Sequence, residues 1–327
     1  MSHGNIRLPG FVDIHIHGCG GHDTSDGDPA GIIGMARTLR DCAVGAFVPT
    51  TMTISREEIY RVFEAVSVSK ELAECDPSCA KVLGVRLEGP FINPFMAGVQ
   101  DVNCCMAPYD GIDMINDLED RYPGLLKIID LSPELPGSDI FLSEFSERYL
   151  ISLAHSKADM KTASEAFDRG ARGVTHMLNA MEPCLKRSPG IPGAAFTHEE
   201  VSCELICDGY HIDPVVLKML FKTYGADRII CISDSMRGAG MPDGVYKLGP
   251  VDVTVRNGRT YYGEHGGLAG SVSDLASEAR VLFDLGISPD DISKVMTENP
   301  LSRLDLTGKT DTGTALFDDR MNFVGFE

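Results

Sequence analysis

Residues 11–17 read Phe-Val-Asp-Ile-His-Ile-His, a short apolar run that ends in two histidines. Such a run is typical of a parallel β-strand that is covered on both faces. Side chains alternate along a strand, so His15 and His17 point to the same side with an apolar residue between them. The pair suits two imidazoles that share a metal ion, although a lone histidine is more often a core or surface group than a ligand.

Seven further runs of this kind follow along the chain. Stretches with apolar residues at three- and four-residue spacing lie between them, as expected for crossover helices. Repeated βα units with eight strands predict an α/β fold of the (β/α)8 TIM-barrel type. The predicted strands are residues 11–17, 46–52, 82–88, 125–131, 150–155, 173–177, 202–207 and 228–233, and the helical stretches include 56–70, 158–169, 214–224 and 271–285.

Two segments interrupt this βα rhythm. Residues 93–113 predict a long loop after the third strand, and residues 242–267 predict a hairpin inserted after the eighth. Long loops at the strand-exit face of a barrel usually carry specificity. Residues 189–193, which are rich in glycine and proline, predict another loop rather than a linker. We therefore expect a single catalytic domain over residues 1–327.

Four more predicted strands end at residues that can bind a metal ion or move a proton. Glu88 ends the third strand, His155 the fifth and His176 the sixth, and Asp234 follows the eighth. The carboxyl ends of barrel strands converge on one rim, so residues that are distant in sequence become neighbours there. Imidazoles and carboxylates without thiolate favour Zn²⁺, Fe²⁺, Mn²⁺ or Co²⁺. Asp234 is the natural proton shuttle of such a site, and the alternative is a helix N-cap.

The charge of the chain limits its partners. There are 29 basic and 48 acidic residues, with a formal net charge of −19, which would repel nucleic acid and anionic membranes. An anionic substrate must therefore meet a local basic site. Lys186, Arg187 and His211 lie on predicted loops where they could hold an anion, or they are solvated surface groups. Residues 266–271 could bind an anion through free backbone N–H groups at a helix start.

The ten cysteines are spread along the chain and predict reduced thiols and a cytoplasmic protein. The two C-x3-C pairs lack the partner pairs that a structural zinc site requires. No apolar run approaches the roughly 18 residues that span a bilayer, and the N-terminus lacks a basic segment followed by an apolar stretch. We therefore expect neither a membrane span nor a secretory signal.

Several motifs, taken in this order, resemble the N-acetylglucosamine-6-phosphate deacetylase family of the amidohydrolase superfamily. The resemblance runs through nearly the whole chain. It is carried by residues 9–18 (Pro-Gly-Phe-Val-Asp-Ile-His-Ile-His-Gly), 87–94 (Leu-Glu-Gly-Pro-Phe-Ile-Asn-Pro), 175–181 (Thr-His-Met-Leu-Asn-Ala-Met), 187–190 (Arg-Ser-Pro-Gly), 208–211 (Asp-Gly-Tyr-His), 233–234 (Ser-Asp), 268–271 (Leu-Ala-Gly-Ser) and 297–300 (Thr-Glu-Asn-Pro).

The resemblance implies hydrolysis of the N-acetyl group of N-acetylglucosamine 6-phosphate to glucosamine 6-phosphate and acetate. It implies one or two divalent ions, foremost zinc, with the principal ion on Glu88, His155 and His176, and His15 and His17 completing or sharing a second position. Asp234 would be the general base and acid. Arg187 could reach the site of a neighbouring subunit, which implies a homodimer. The implied substrate contacts are Asn179, Ala180, Arg187, His211, Gln100, Leu268 and Gly270.

Three features depart from the family pattern. Gln100 stands where the family usually has a histidine, and Ser233-Asp234-Ser235 replaces the usual Thr-Asp-Ala. Residues 308–327 resemble the family's closing β-strands only weakly, and no strands are predicted before residue 11, so we expect an accessory β-sandwich that is reduced to a remnant or absent. The alternatives are an amidohydrolase that acts on another N-acetylhexosamine phosphate or N-acyl compound, and a non-catalytic sugar-phosphate-binding protein.

Overall fold

The computed structural model describes residues 6–263 and 266–327. Eight strands form one parallel sheet in chain order, and we number them as barrel strands one to eight. Barrel strand three is in two pieces, and strand six is only two residues long. The strands are Phe11–Ile16, Val44–Thr51, Lys81–Val82 with Val85–Leu87, Leu126–Leu131, Leu150–Leu153, Gly173–Val174, Ser202–Leu205 and Ile229–Cys231.

Backbone hydrogen bonds between the end of the first strand and the residues just beyond the last strand close the sheet. The Asp234 N–H donates to the His15 carbonyl oxygen at 2.9 Å, and the His17 N–H donates to the Ser235 carbonyl oxygen at 2.9 Å. The closure therefore lies at the strand-exit rim, where it joins the two histidines to the aspartate. The predicted (β/α)8 barrel is confirmed.

A helix follows each barrel strand and covers the sheet. The predicted helical stretches are all present, and Ser55 forms a capping box with Glu58 at the start of the second helix. Residues 189–193 were wrongly predicted as a loop: a helix begins at Gly190, and Pro192 is tolerated because it lies in the first turn, where its missing N–H costs little. The eight helices are Pro29–Arg40, Arg56–Glu74, Ile112–Arg121, Ser138–Phe145, Met160–Asp168, Gly190–Thr197, Pro214–Tyr224 and Leu275–Asp284.

The far end of the barrel is closed by the last helical segment. Helix Pro289–Ser293, a π-helical turn at Lys294–Glu298 and helix Asn299–Arg303 follow one another there. Leu301 joins a buried apolar cluster with residues from five barrel strands, among them Val12 and Ile128. Strands that are not neighbours can share such a cluster only inside the barrel, so the interior is a packed core that supports the opposite rim.

The two ends of the described chain meet in a small antiparallel sheet. Strand Ile6–Pro9 pairs with Thr314–Phe317, which pairs in turn with Phe323–Phe326. The prediction of no strand before residue 11 is therefore wrong. Four residues are too few to show a periodicity, and their partner lies more than 300 residues away. That residues 308–327 are a remnant of an accessory β-domain stays a prediction.

The insertion after barrel strand eight is a sheet rather than a simple hairpin. Strands Gly244–Leu248, Val251–Arg256 and Arg259–Tyr261 pair antiparallel in chain order. Residues 264 and 265, which belong to the predicted segment 242–267, lie outside the described residues. The predicted loop 93–113 contains the single turns Pro94–Met96, Val102–Cys104 and Pro108–Gly111 before its helix begins. No helix in the described part of the chain could cross a membrane.

A fully buried carboxyl group ties the helix Leu275–Asp284 to the end of barrel strand seven. Glu278 Oε2 accepts from the Cys207 N–H at 2.9 Å, and its Oε1 accepts from the Ser273 hydroxyl at 2.6 Å. Burial raises the pKa of Glu278 well above its usual range, and the nearby Cys207 thiol acts in the same direction. At a pH between the ordinary and the raised pKa, the folded protein therefore holds a proton on Glu278 that the unfolded chain releases.

Glu278→Gln is expected to remove a pH dependence of stability. The folded pKa is the higher one, so the wild type loses stability as pH rises above the ordinary glutamate value of 4.5, by at most about 1.4 kcal/mol per pH unit. The glutamine variant has the shape of the protonated acid and lacks this loss. Urea unfolding between about pH 5 and 8 measures the difference. The exposed Glu64→Gln is the control, and parallel curves for wild type and Glu278→Gln would contradict the prediction.

Candidate active site

The ends of five barrel strands bring six chemically capable side chains together. His15, His17, Glu88, His155, His176 and Asp234 are all nearly or fully buried. The carboxylate of Glu88 is central: its Oε1 lies 2.9 Å from His176 Nε2 and 3.1 Å from His155 Nε2, and its Oε2 lies 3.0 Å from His17 Nε2. Asp234 Oδ1 lies 3.3 Å from His17 Nε2 and 3.5 Å from His15 Nε2. The six side chains that were predicted to form a cluster therefore lie close together in the structure.

Two neighbouring groups of these side chains, with no residue in common, could each hold a metal ion. Among the described residues, the ligand atoms of Glu88, His155 and His176 lie within 4.8 Å of one another, and so do those of His15, His17 and Asp234. The donors are imidazole nitrogens and carboxylate oxygens without sulfur, a set that suits borderline divalent cations. The residues present therefore fit one or two divalent ions.

Contacts behind the imidazoles fix which nitrogen faces the cluster. His17 Nδ1 lies 3.2 Å from the Thr50 carbonyl oxygen, and His155 Nδ1 lies 2.8 Å from that of Met96. A carbonyl oxygen only accepts, so in the neutral imidazole each Nδ1 carries the proton and each Nε2 has the lone pair that would bind a metal ion in place of a proton. This arrangement of a ligand and its supporting acceptor is common in metal sites.

A buried ion network supports the cluster from inside the barrel. Arg86 donates to the carboxylates of Asp130 at 2.8 Å and Glu204 at 2.7 Å, and all three side chains are buried. Glu204 Oε2 in turn lies 3.6 Å from His15 Nδ1. This network could not be predicted from the sequence, because Arg86 and Glu204 stand inside otherwise apolar strands and no local pattern indicates their partners.

The backbone is strained where the cluster forms. His155, His176 and Asp234 have φ values of 45°, 30° and 47°, in the left-handed region that residues with a side chain rarely adopt. Each such residue costs on the order of 1–3 kcal/mol, and such strain concentrates at functional sites. The turn directly after each strand therefore aims these side chains at the cavity instead of continuing the pleat.

The electrostatic field of the cluster favours positive charge. Burial opposes ionisation of Glu88, but His15 and His17 outweigh it and hold the pKa of Glu88 well below its usual range. Burial likewise opposes ionisation of Asp234, and its neighbours His15 and His17 lower the pKa of Asp234 to about 2. Two buried carboxylates that stay ionised attract cations, and each belongs to a group of side chains that could hold one.

A cavity of about 340 Å³ opens above the cluster. It is lined by six of the seven predicted substrate contacts and by apolar side chains that the sequence analysis did not name. Leu248 and Tyr262 come from the inserted sheet and its flank, so that insertion forms one wall. The predicted contacts on the wall are Gln100, Asn179, Ala180, His211, Leu268 and Gly270, and the further apolar residues are Met52, Phe95, Met96, Val99, Ile206 and Ala269.

The predicted anion-binding residues separate into two groups. His211 lines the cavity, and its Nδ1 lies 2.7 Å from Asp208 Oδ2. Burial disfavours charge on this imidazole, but Asp208 outweighs it and raises the pKa of His211, which favours a cation there. Lys186 and Arg187 are exposed on the loop before helix Gly190–Thr197 and do not line the cavity of their own chain. No described residue on the cavity wall is a lysine or arginine.

Two details differ from the sequence analysis. Gln100 donates from Nε2 to Glu88 Oε2 at 2.5 Å and accepts from the Thr53 N–H at 2.6 Å, so its amide is held against the carboxylate. Residues 266–271 do not start a helix. The helix begins at Leu275, and Asp274 caps its N–H groups, so that loop contributes wall and not a helix terminus.

Comparison with known proteins places the chain among deacetylases. No family model matches it. It is 35% identical over 302 residues to the N-acetylglucosamine-6-phosphate deacetylase of Bacillus subtilis, covering 92% of this chain and 76% of that protein. It is 29% identical over 311 residues to an N-acetylgalactosamine-6-phosphate deacetylase of Escherichia coli, covering 93% of this chain and 79% of the relative.

Solved structures agree with these relatives. The N-acetylglucosamine-6-phosphate deacetylase of Thermotoga maritima superposes with a TM-score of 0.87 at 28% identity, covering 98% of this chain and 86% of its own. A variant of the Mycobacterium smegmatis enzyme in complex with N-acetyl-D-glucosamine 6-phosphate superposes with a TM-score of 0.87 at 25% identity, covering 98% of this chain and 84% of its own. The barrel and its rim therefore have close structural counterparts.

Proposed function

The chain belongs to the N-acetylglucosamine-6-phosphate deacetylase family of the amidohydrolase superfamily, and we propose that it hydrolyses N-acetylglucosamine 6-phosphate to glucosamine 6-phosphate and acetate. The observation that carries the proposal is the convergence of Glu88, His155, His176 and Asp234 on the floor of one cavity. Metal-dependent amide hydrolysis uses a cation to polarise the carbonyl and a base to take the proton of water, and this floor offers ligands for the cation and a carboxylate as the base.

The site would hold a divalent metal, for which we propose zinc ahead of iron, manganese or cobalt. Glu88, His155 and His176 would bind the principal ion, and His15 and His17 a second one. A bound ion of this kind supplies Lewis-acid polarisation of the acetamide carbonyl and makes water more acidic. Metal analysis of the purified protein measures both the identity and the number of ions.

Asp234 would carry the proton. Its lowered pKa keeps the carboxylate ionised near neutral pH, so it begins as a base and accepts a proton from the attacking water. It then gives this proton to the amine nitrogen as the carbon–nitrogen bond breaks. The left-handed backbone at Asp234 and the hydrogen bond from its N–H to the His15 carbonyl oxygen hold the carboxylate in place for both transfers.

The remaining wall would hold the sugar. Asn179 and Ala180 follow His176 closely in the chain, Leu268 and Gly270 belong to a different loop, and all four line the cavity, so a ligand there would contact both segments. Phe95 is 82% exposed at the cavity and offers an apolar face. A cavity of about 340 Å³ falls in the range that small ligands use. Gln100, held against Glu88, would contribute to the same wall.

The phosphate would need a cation that the cavity of one chain lacks apart from His211. We propose that the protein is a homodimer in which Arg187 of a second copy completes this site. The exposed position of Arg187 on the loop before helix Gly190–Thr197 leaves it free to reach across. An arginine fork also matches the oxygen geometry of phosphate.

Arg187→Ala is expected to lower kcat/KM for the phosphorylated substrate about 10- to 100-fold, mainly through KM, since charge-assisted hydrogen bonds to phosphate contribute about 1.5–3 kcal/mol. Turnover of plain N-acetylglucosamine should not change. Steady-state acetate release from both sugars measures this, with Lys186→Ala as the neighbouring control. An equal loss on both sugars would contradict a phosphate contact.

The proposed reaction is tested by acetate release from N-acetylglucosamine 6-phosphate in the presence of added metal. The relatives also include N-acetylgalactosamine-6-phosphate deacetylases, so that epimer is the second candidate and is assayed beside the first. A higher kcat/KM on the galactose epimer would move the assignment to it. Binding of either sugar phosphate without any acetate release would favour the sugar-phosphate-binding alternative.

We also propose that the protein works in the cytoplasm. All ten cysteines lie in the described chain, and none is paired in a disulfide. Cys207 Sγ and Cys231 Sγ lie only 3.5 Å apart and are still unbonded. The ten cysteines are spread along the chain without the dense framework of a small secreted fold, and this supports a reducing compartment.

A further inference from the structure

A second cavity lies at the opposite end of the barrel from the candidate active site. Its volume is about 490 Å³. It is formed by the starts of barrel strands four and five, by Arg172 just before strand six, and by the end of helix Asn299–Arg303, which plugs the barrel. Four cations line it: Lys127, Arg148, Arg172 and Arg303.

Two of these cations have no partner in the structure. Lys127 and Arg303 are half-buried and make no hydrogen bond or ion pair with any described residue. Arg172 donates from Nη1 to the carbonyl oxygens of Phe167 and Ala171 at 2.8 and 2.9 Å, which leaves its other nitrogens free.

The carboxylates around this cavity form no ion pair with Lys127 or Arg303. Glu119 accepts from the Tyr149 hydroxyl at 2.9 Å and from the Gly124 N–H at 3.0 Å, and its charge raises the pKa of Lys127 less than burial lowers it. The other two, Glu147 and Asp305, are exposed at the cavity's edge. A half-buried charge without a partner is costly, and this protein has a net charge of −19 and many carboxylates that could have served as partners.

Without a bound anion, the surroundings further disfavour the charged forms of Lys127 and Arg303. Burial lowers the pKa of Arg303, and the neighbouring Arg172 and Arg228 lower it further. Burial and Lys70 likewise lower the pKa of Lys127. An anion in the cavity would reverse both effects, because it supplies the missing acceptor oxygens and the opposite charge.

We propose that this cavity binds a small phosphate-bearing anion through Lys127, Arg172 and Arg303. Phosphate is favoured because several oxygens on one centre can accept from two guanidinium groups and one ammonium group together. The bound anion would join the starts of strands four to six to the helix that plugs the barrel, so it would stabilise the fold without touching the active site. The proposal does not depend on the proposed enzymatic function.

The test is the melting temperature of the metal-loaded protein as inorganic phosphate is added, with chloride at equal ionic strength as the reference. Wild type should show a saturable rise, because a ligand that binds only the folded state stabilises it. Lys127→Met/Arg303→Met should lose this rise and keep kcat/KM for acetate release. Lys218→Met, an exposed lysine far from the cavity in sequence, controls for lost charge, and Arg303→Gln is the second variant if the double one does not fold.

The active site could also take phosphate, so the rise is measured again in Arg187→Ala/His211→Asn. A rise that persists in this variant and disappears in Lys127→Met/Arg303→Met supports the second site. Glucosamine 6-phosphate in place of phosphate shows whether a phosphate ester is also accepted. No rise in wild type, or a full rise in both Lys127→Met/Arg303→Met and Arg303→Gln, would overturn the proposal.

Discussion

Asp234→Asn is expected to lower kcat for acetate release about 10³-fold, the middle of the range for loss of a positioned general base. The amide has nearly the same shape as the carboxylate and the same backbone, but it cannot accept the proton of water. The contacts of Asp234 Oδ1 with His17 at 3.3 Å and His15 at 3.5 Å place the lost charge inside the cluster. The measurement is kcat at saturating substrate, with metal content determined on the same sample.

A separate control variant tests the alternative interpretation, in which Asp234 caps a helix. The next α-helix begins at Leu275 and is capped by Asp274, whose carboxylate accepts from the Ser277 N–H at 2.9 Å. Asp274→Asn is the matched substitution, and asparagine caps helices as well as aspartate does. It should leave kcat unchanged. If Asp234→Asn kept most of its turnover with the metal in place, another group would have to carry the proton.

The site residues at the rim of the barrel could be predicted because the sequence directly around each of them indicates a strand end. His15 and His17 show the two-residue alternation of a strand, and Glu88, His155 and His176 each stand at or just past the last apolar residue of a predicted strand. A parallel barrel then brings all strand ends to one rim, so the topology places these residues close together in space. The left-handed turns at His155 and His176, which aim these side chains, could not be derived, since no glycine or asparagine stands there to indicate them.

The features that could not be predicted from the sequence depend on contacts between residues that are distant along the chain. Strand Ile6–Pro9 exists because Thr314–Phe317 pairs with it, and neither segment is long enough to indicate the other. Arg86 interrupts an apolar strand, and only the fold shows that Asp130 and Glu204 surround it. Gln100 lines the cavity and stays a predicted substrate contact, but its hydrogen bonds to Glu88 and Thr53 could not be predicted, because they are set by the path of the long loop.

Glu88→Gln is expected to weaken binding of the principal metal at least 100-fold, more than the loss of a supporting contact would, and to abolish acetate release at limiting metal. Both oxygens of this carboxylate are in use: Oε1 faces His155 and His176, and Oε2 faces His17. Glutamine keeps the shape but removes the negative charge and one acceptor. Metal per chain after dialysis against a chelator, with acetate release, is the measurement.

The metal contents of Glu88→Gln and His17→Asn together show whether the cluster binds one ion or two. If Glu88, His155 and His176 form the principal site, His17→Asn should lose at most one ion per chain and Glu88→Gln should lose every ion that wild type retains, because Glu88 contacts both histidine groups. Glu134→Gln is the matched control, since its carboxylate accepts from Asn93 and Ser156 near the rim and lies outside both ligand groups. Full metal content in Glu88→Gln would contradict the central place of this carboxylate, whichever ion the protein uses.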